Sequence, residues 1–119
     1  MKNIVVNRLR AFAFAFEGIA AGLRKELALK IHLIALLLLI PFVIGFNLSA
    51  LECLLLFACA CMVIVAEIFN TALEKLCDLV TLSHDTRIKY IKDLAAGGVL
   101  ITVVLALAVG AIITWKHCC

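Results

Sequence analysis

Charge is scarce in this chain: 16% of its 119 residues are Asp, Glu, Lys or Arg, against about 25% in a soluble domain. A net charge of +3 on so apolar a chain excludes a nucleic-acid binder, which needs a dense basic face. One proline and six glycines exclude collagen-like and linker compositions. The two common phosphate loops, G-x-x-x-x-G-K-[ST] and G-x-G-x-x-G, are both missing. No compact apolar core with a small-residue cleavage site follows the basic start, so the first 30 residues do not read as a secretory leader. The six cysteines imply no disulfide framework. Cys53, Cys59, Cys61 and Cys77 sit among apolar neighbours, where cysteine serves as a small hydrophobe. Cys59-Ala-Cys61 has no second ligand pair to complete a zinc site, and Cys118-Cys119 lacks the C-a-a-X frame of a prenylation signal.

Hydrophobicity is what the chain has: 66% of residues and a mean hydropathy of +1.22. There is room for one domain, and the composition leaves a membrane protein or a tightly buried helical bundle. Long apolar runs favour the membrane. The expected fold is an all-α membrane protein, one domain over 1–119, with three transmembrane helices and an N-terminal amphipathic surface helix.

The surface helix is expected over about 3–28. Phe12, Phe16, Ile19 and Leu23 recur at three- and four-residue steps and form one apolar face, with Arg10, Glu17 and Arg24 on another, which suits a helix lying in the membrane interface. Gly18 and Gly22 form a small-xxx-small pair that lets another helix approach. The spans are expected over about 30–47, 50–70 with a polar extension to 80, and 94–115. Ile31 to Phe46 is apolar except for His32, and Pro41 inside it predicts a kink. Ser49-Ala-Leu-Glu52 has the form of a capping box, which makes Glu52 a structural cap before anything else. Ten of the 11 Lys/Arg lie before the first span or between Lys75 and Lys92. The positive-inside rule then places the N-terminus and the loop after the second span in the cytoplasm.

Polar residues on the second helix break the apolar pattern. At about 100° per residue, Glu67, Asn70, Glu74 and Asp78 share one face of a largely apolar helix. Such groups are costly at membrane depth unless something uses them, and Glu74 and Asp78 repel at i, i+4 unless a cation sits nearby. A face emerging into water accounts for Asp78 and only poorly for Glu67. Counting about 20 residues from position 50 puts Glu67 and Asn70 at the inner interface, with Glu74 about 10 Å further toward the cytosol. Glu26 precedes the first span, and Lys92-Asp93 stands directly before the third. Each has a plainer role: Glu26 pairing with Lys30, Asp93 with Lys89, Lys92 snorkelling, and His32 packing at the membrane edge. Their common depth favours a site. Phosphoryl transfer needs a metal on the nucleotide phosphates, a cation for developing charge and often a base for the attacking hydroxyl. Carboxylates at two depths could divide that work, the deeper one meeting a lipid hydroxyl and the shallower ones holding hydrated Mg²⁺.

These residues closely resemble the signature of the prokaryotic diacylglycerol kinase family, which includes the undecaprenol kinases. The match is Glu67-x-x-Asn70-Thr71-Ala72-x-Glu74-x-x-x-Asp78 followed by Lys92-Asp93-Leu94-Ala95-Ala96-Gly97, while Lys25-Glu26 leading into Lys30-Ile31-His32-Leu33 looks more like the undecaprenol kinase branch. The resemblance implies three transmembrane helices with a surface helix, a homotrimer with shared active sites, and ATP- and Mg²⁺-dependent phosphorylation of diacylglycerol or undecaprenol at the bacterial inner membrane. It makes Glu67 the base, with Asn70 beside it. Glu26 and Glu74 become ligands of the metal–ATP complex, and Lys92 and Asp93 nucleotide contacts. His32, Phe12, Phe16 and Glu67 are candidate lipid contacts. The family's N-terminal arginine aligns nearer Asn7, so Arg8 or Arg10 would take its place at ATP. The loop that often reads Glu-Tyr-His is Ser83-His84-Asp85 here, where Asp85 or Ser83 can cap the next helix. Two other readings stand beside the kinase. A small proton-coupled transporter would use Glu67 as its carrier, and a purely structural protein would leave the Glu67 face without purpose.

Overall fold

The computed structural model describes residues 1–119 and contains four helices: α1 Lys2–Lys25, α2 Leu27–Phe46, α3 Ala50–Val80 and α4 Thr86–Cys118. The last three are long and apolar enough to cross a membrane, and no strand is present. The chain is an all-helical membrane protein.

Local chemistry sets each boundary. Glu26 adopts an extended conformation (φ −106°, ψ 117°) and splits what the periodicity predicts as one helix to about residue 28, so the first apolar helix starts early, at Leu27. Asn47 ends α2 in the left-handed region (φ 52°, ψ 55°), which Asn tolerates better than most residues; the Leu48 N–H donates to the Val43 carbonyl at 3.2 Å. Pro41 lies inside α2, which continues through it as one helix. Ser49 caps α3, its hydroxyl accepting from the Glu52 N–H at 3.2 Å. Asp85 caps α4 by accepting from the Arg87 N–H at 2.8 Å, so α4 begins eight residues before the apolar run that starts at Leu94. Polar capping, invisible to a hydropathy count, fixed that start.

The central element is α3. It packs most closely with α4, next with α2, while α1 touches only α2 appreciably. Seven of the nine buried residues lie on α3. They are Glu52, Leu56, Cys59, Val63, Glu67, Asn70 and Cys77, in steps of three, four and seven, which is one continuous stripe down the helix. Outward-facing Leu and Ile along α2 and α4, such as Leu38, Ile44, Leu100 and Ile112, are exposed, as lipid-facing helices require. At 31 residues, α3 is about 46 Å long, well beyond the roughly 30 Å of a hydrocarbon core. Its last turns therefore project past the apolar slab and carry charge out of it.

Helix α1 leaves the bundle. Residues 1–20 are exposed throughout, and the helix meets α2 at its C-terminal end. There Gly22 lies so near Leu29 that a Cβ would come within 3.0 Å of Leu29 Cδ1. Gly18, its expected partner in close packing, has open space around it, as do Gly97 and Gly98. The small-residue pair acts through one glycine only.

A candidate active site on the buried stripe of the central helix

Glu67 and Asn70 continue the stripe that Leu56 and Val63 begin, each 8% exposed. Glu67 faces one imidazole: its Oε2 lies 3.9 Å from His32 Nε2 on α2. Asn70 Nδ2 donates to Glu74 Oε1 at 3.2 Å, while Asn70 Oδ1 is buried and accepts from nothing. An unsatisfied buried acceptor costs about 1–3 kcal/mol, and Asn70 Oδ1 is open to a donor that the single chain does not supply. A carboxylate at membrane depth with so few partners is a candidate functional group.

One level nearer the chain's charged end, three segments converge. Glu26 Oε1, at the α1–α2 junction, pairs with Lys75 Nζ at 3.2 Å, not with Lys30. Lys92 Nζ on α4 reaches Asp78 Oδ1 on α3 at 2.8 Å, and Lys89 pairs with Asp93. The expected repulsion between Glu74 and Asp78 is answered residue by residue: Asn70 donates to the first and Lys92 neutralises the second, so no shared cation is needed between them. The Lys92–Asp78 pair is partly exposed, with side-chain accessibilities of 37% and 47%. Pairs of that kind contribute little net stability. Beyond this level, the loop holds Asp85, whose carboxylate takes bonds from the Arg87 side chain and then its N–H and is held down at about 2.

Four candidate residues stand apart. Arg8, Arg10, Phe12 and Phe16 are exposed on α1 and their side chains make no hydrogen bond or ion pair within the chain, so a single chain does not bring them to the cluster.

An apolar groove of about 440 Å³ runs between α2 and α4 over α3, lined among others by Ala35, Leu39, Val63, Ala106 and Thr114. His32 closes its end on the Glu67 side. From His32 to Phe42, both in the lining, the helical rise is about 15 Å, close to half the roughly 30 Å apolar slab.

No group of three or more His, Cys, Asp or Glu side chains is arranged to hold a metal ion. The hard oxygen donors of Glu26 and Glu74 suit Mg²⁺, which keeps most of its waters and takes one or two carboxylates together with nucleotide phosphates. The chemistry of the donor set fits a metal delivered with nucleotide and not an all-protein cage.

Two features lie beyond sequence reasoning. Lys75 is the partner of Glu26, and nothing local in the chain links α3 to the α1–α2 junction. Glu52 does more than cap: besides Ser49, it binds Lys116 Nζ at 3.1 Å and His117 Nε2 at 2.6 Å, joining the start of α3 to the end of α4.

Comparison with known proteins supplies the family. A family model described as prokaryotic diacylglycerol kinase matches residues 13–114. The chain belongs to the prokaryotic diacylglycerol kinase family. Among its relatives, a diacylglycerol kinase of Synechocystis is 31% identical over 109 residues, covering 91% of this chain and 62% of that protein. The diacylglycerol kinase of Escherichia coli K12 is 25% identical over 109 residues, 92% of this chain and 89% of the relative. An undecaprenol kinase of Bacillus subtilis is 31% identical over 114 residues, with 94% and 91% covered. The chain thus spans less than two thirds of the cyanobacterial diacylglycerol kinase and nearly all of the other two. The diacylglycerol kinase match takes in Phe16, Glu26, His32, Glu67, Asn70, Glu74, Lys92 and Asp93 and leaves out Arg8, Arg10 and Phe12, together with Lys116 and His117.

Proposed function

We propose that this protein is an ATP-dependent lipid kinase that transfers the γ-phosphoryl group of ATP to the hydroxyl of a membrane alcohol, either diacylglycerol or undecaprenol. The observation that carries the reading is the pairing on one buried stripe of Glu67 with an unpartnered Asn70 acceptor. In the proposed reaction the hydroxyl attacks the γ-phosphorus in line, and Glu67 takes its proton. Asn70 Oδ1 accepts from the incoming hydroxyl or from an ordered water and so orients it. Glu26 and Glu74 would hold Mg²⁺ together with the nucleotide phosphates, where it would supply charge neutralisation. Lys92 exchanges Asp78 for a phosphate oxygen, and Asp93 lies beside it at the nucleotide. Arg8 or Arg10 would reach ATP only if α1 lies against a neighbouring subunit, which accords with a homotrimer whose sites are shared. Helix α1 would lie in the inner interface on its Phe12 and Phe16 face. The N-terminus and the charged end would face the cytoplasm of a bacterial inner membrane, as the Lys/Arg distribution favours.

The groove supports a hydrocarbon chain entering from one leaflet, with its hydroxyl end at His32 and Glu67. Contact with an apolar lining discriminates by only about 1–3 kcal/mol per methylene, so activity on both lipids is expected. One groove suits a single-chain prenol better than a two-chain glycerolipid, and the Bacillus relative bears the name undecaprenol kinase. The test is transfer from γ-labelled ATP to each lipid separately in mixed micelles, with Lys92→Ala alongside. Labelled lipid from both, with Lys92→Ala depressing both together, supports the reading. ATP-independent proton flux without labelled product would replace it with the transporter, which the kinase names of the relatives do not favour.

A further inference from the structure

Each phosphorylation of a lipid hydroxyl by ATP must release a proton. In the step proposed above, the lipid O–H breaks as its oxygen bonds the γ-phosphorus, the bond from phosphorus to the β,γ-bridging oxygen breaks, and ADP leaves with those electrons. The proton goes to Glu67, which must lose it before the next turnover. The Glu67 side chain is only 11% accessible, so bulk water has little direct access to that proton.

We infer that His32 is the group that empties Glu67: its neutral imidazole takes the proton from the Glu67 carboxyl at Nε2 and passes it to water at the interface. Three observations carry this. Nε2 is 3.9 Å from Glu67 Oε2, and no other basic side chain lies within 4.0 Å of that carboxylate. A shift of about 1 Å, or one bridging water, brings that separation to hydrogen-bond distance, and catalytic contacts commonly tighten when substrate binds. The His32 side chain is 23% accessible, twice as open as the carboxylate it faces. It is also the sole residue in the groove lining that can exchange protons near neutral pH, since α4 contributes no ionisable side chain there and α3 contributes only the thiol of Cys59. At its other end α2 meets α1 through Leu29 and Gly22, which bring no charge to His32. A residue that merely packs at the membrane edge has no need to aim a ring nitrogen at a buried carboxylate.

The inference rests on Glu67 being the base, and the experiment separates the two. Turnover and KM for lipid and for ATP are measured between pH 5.5 and 9 in the intact chain, for wild type, Glu67→Gln, His32→Gln and His32→Ala. In the wild type, turnover should fall toward acid pH, because a protonated ring cannot accept. His32→Gln should lower turnover by about 10², leave both KM values near wild type and lose that acid limb. Added imidazole should restore part of the turnover of His32→Ala. An unchanged limb and turnover in His32→Gln, or a loss confined to lipid KM, overturns the relay and returns His32 to chain binding. Wild-type turnover in Glu67→Gln overturns the base assignment itself. A wild type with no acid limb overturns the relay even if both His32 variants fail to fold.

Discussion

The start and the middle of α3 treat a buried glutamate in opposite ways. Glu52 and Glu67 are each 8% exposed and lie on the same stripe. Around Glu52, every partner is present: the Ser49 hydroxyl at 3.2 Å, Lys116 at 3.1 Å and His117 at 2.6 Å. Around Glu67 there is one imidazole at 3.9 Å, and the next polar group on the stripe, Asn70, keeps an acceptor empty. A buried carboxylate surrounded by donors is held in place and has nothing left to offer a ligand. One left short of partners keeps its lone pairs for chemistry. Burial alone therefore does not mark a site; incomplete satisfaction of a buried group does.

The strongest way to break this contrast is at Glu67. Glu67→Gln should lower turnover by roughly 10²–10⁴ while leaving helical content by circular dichroism and nucleotide binding as in the wild type. Full turnover at saturating lipid and ATP would make the two glutamates alike, both structural.

Next in size is the nucleotide level. Glu26→Gln and Glu74→Gln should each weaken apparent Mg²⁺–ATP affinity by about tenfold or more, the scale of one lost charged contact, with lipid KM little changed. Nucleotide binding followed through a Mg²⁺ titration decides it, and coincident curves for wild type and both variants would reduce these residues to the ion pair and hydrogen bond that they make within the chain.

The Glu52 end should respond in stability and not in rate. Ser49→Ala removes the α3 cap and should cost about 1 kcal/mol in detergent-denaturation midpoints. Glu52→Gln weakens the tie to Lys116 and His117 and should lower the midpoint in the same direction. Turnover of the folded fraction should stay at the wild-type value in both. A specific loss of turnover at full stability would mean that this end, too, belongs to the site.

The smallest effect concerns the loop before α4. Asp85 is held at about 2, below its ordinary 3.8, by the Arg87 side chain and N–H. A depressed carboxyl contributes its stabilisation fully above the ordinary value and loses it as pH falls through about 4 toward 2. Amide exchange in the first turn of α4 should therefore quicken relative to the helix interior across that range, and Asp85→Asn should flatten the dependence. A first turn indifferent to pH would show that the cap acts through its geometry alone.

Much of this molecule can be read one residue at a time. The apolar runs identify three membrane-length helices, Ser49 and Asp85 declare helix starts through ordinary capping chemistry, and the 3.6-residue period by itself puts Glu67, Asn70 and Glu74 on one face. The break at Glu26 is less legible, because backbone geometry decides it and hydropathy does not report on it. Within one helix the partners are legible, as at Lys89 and Asp93 or Ser49 and Glu52, but across helices they are not. Glu26 chooses Lys75 over the nearby Lys30, Asp78 takes Lys92 from 14 residues away, and Glu52 is joined from 64 and 65 residues away. Period and hydropathy are properties of a short stretch of chain and survive in the sequence. Partnership depends on how α2 and α4 dock against α3, a balance of contacts spread over the whole bundle, and only the tertiary structure decides it. That docking separates Glu67, left with one distant imidazole, from Glu52, which has every partner it can use.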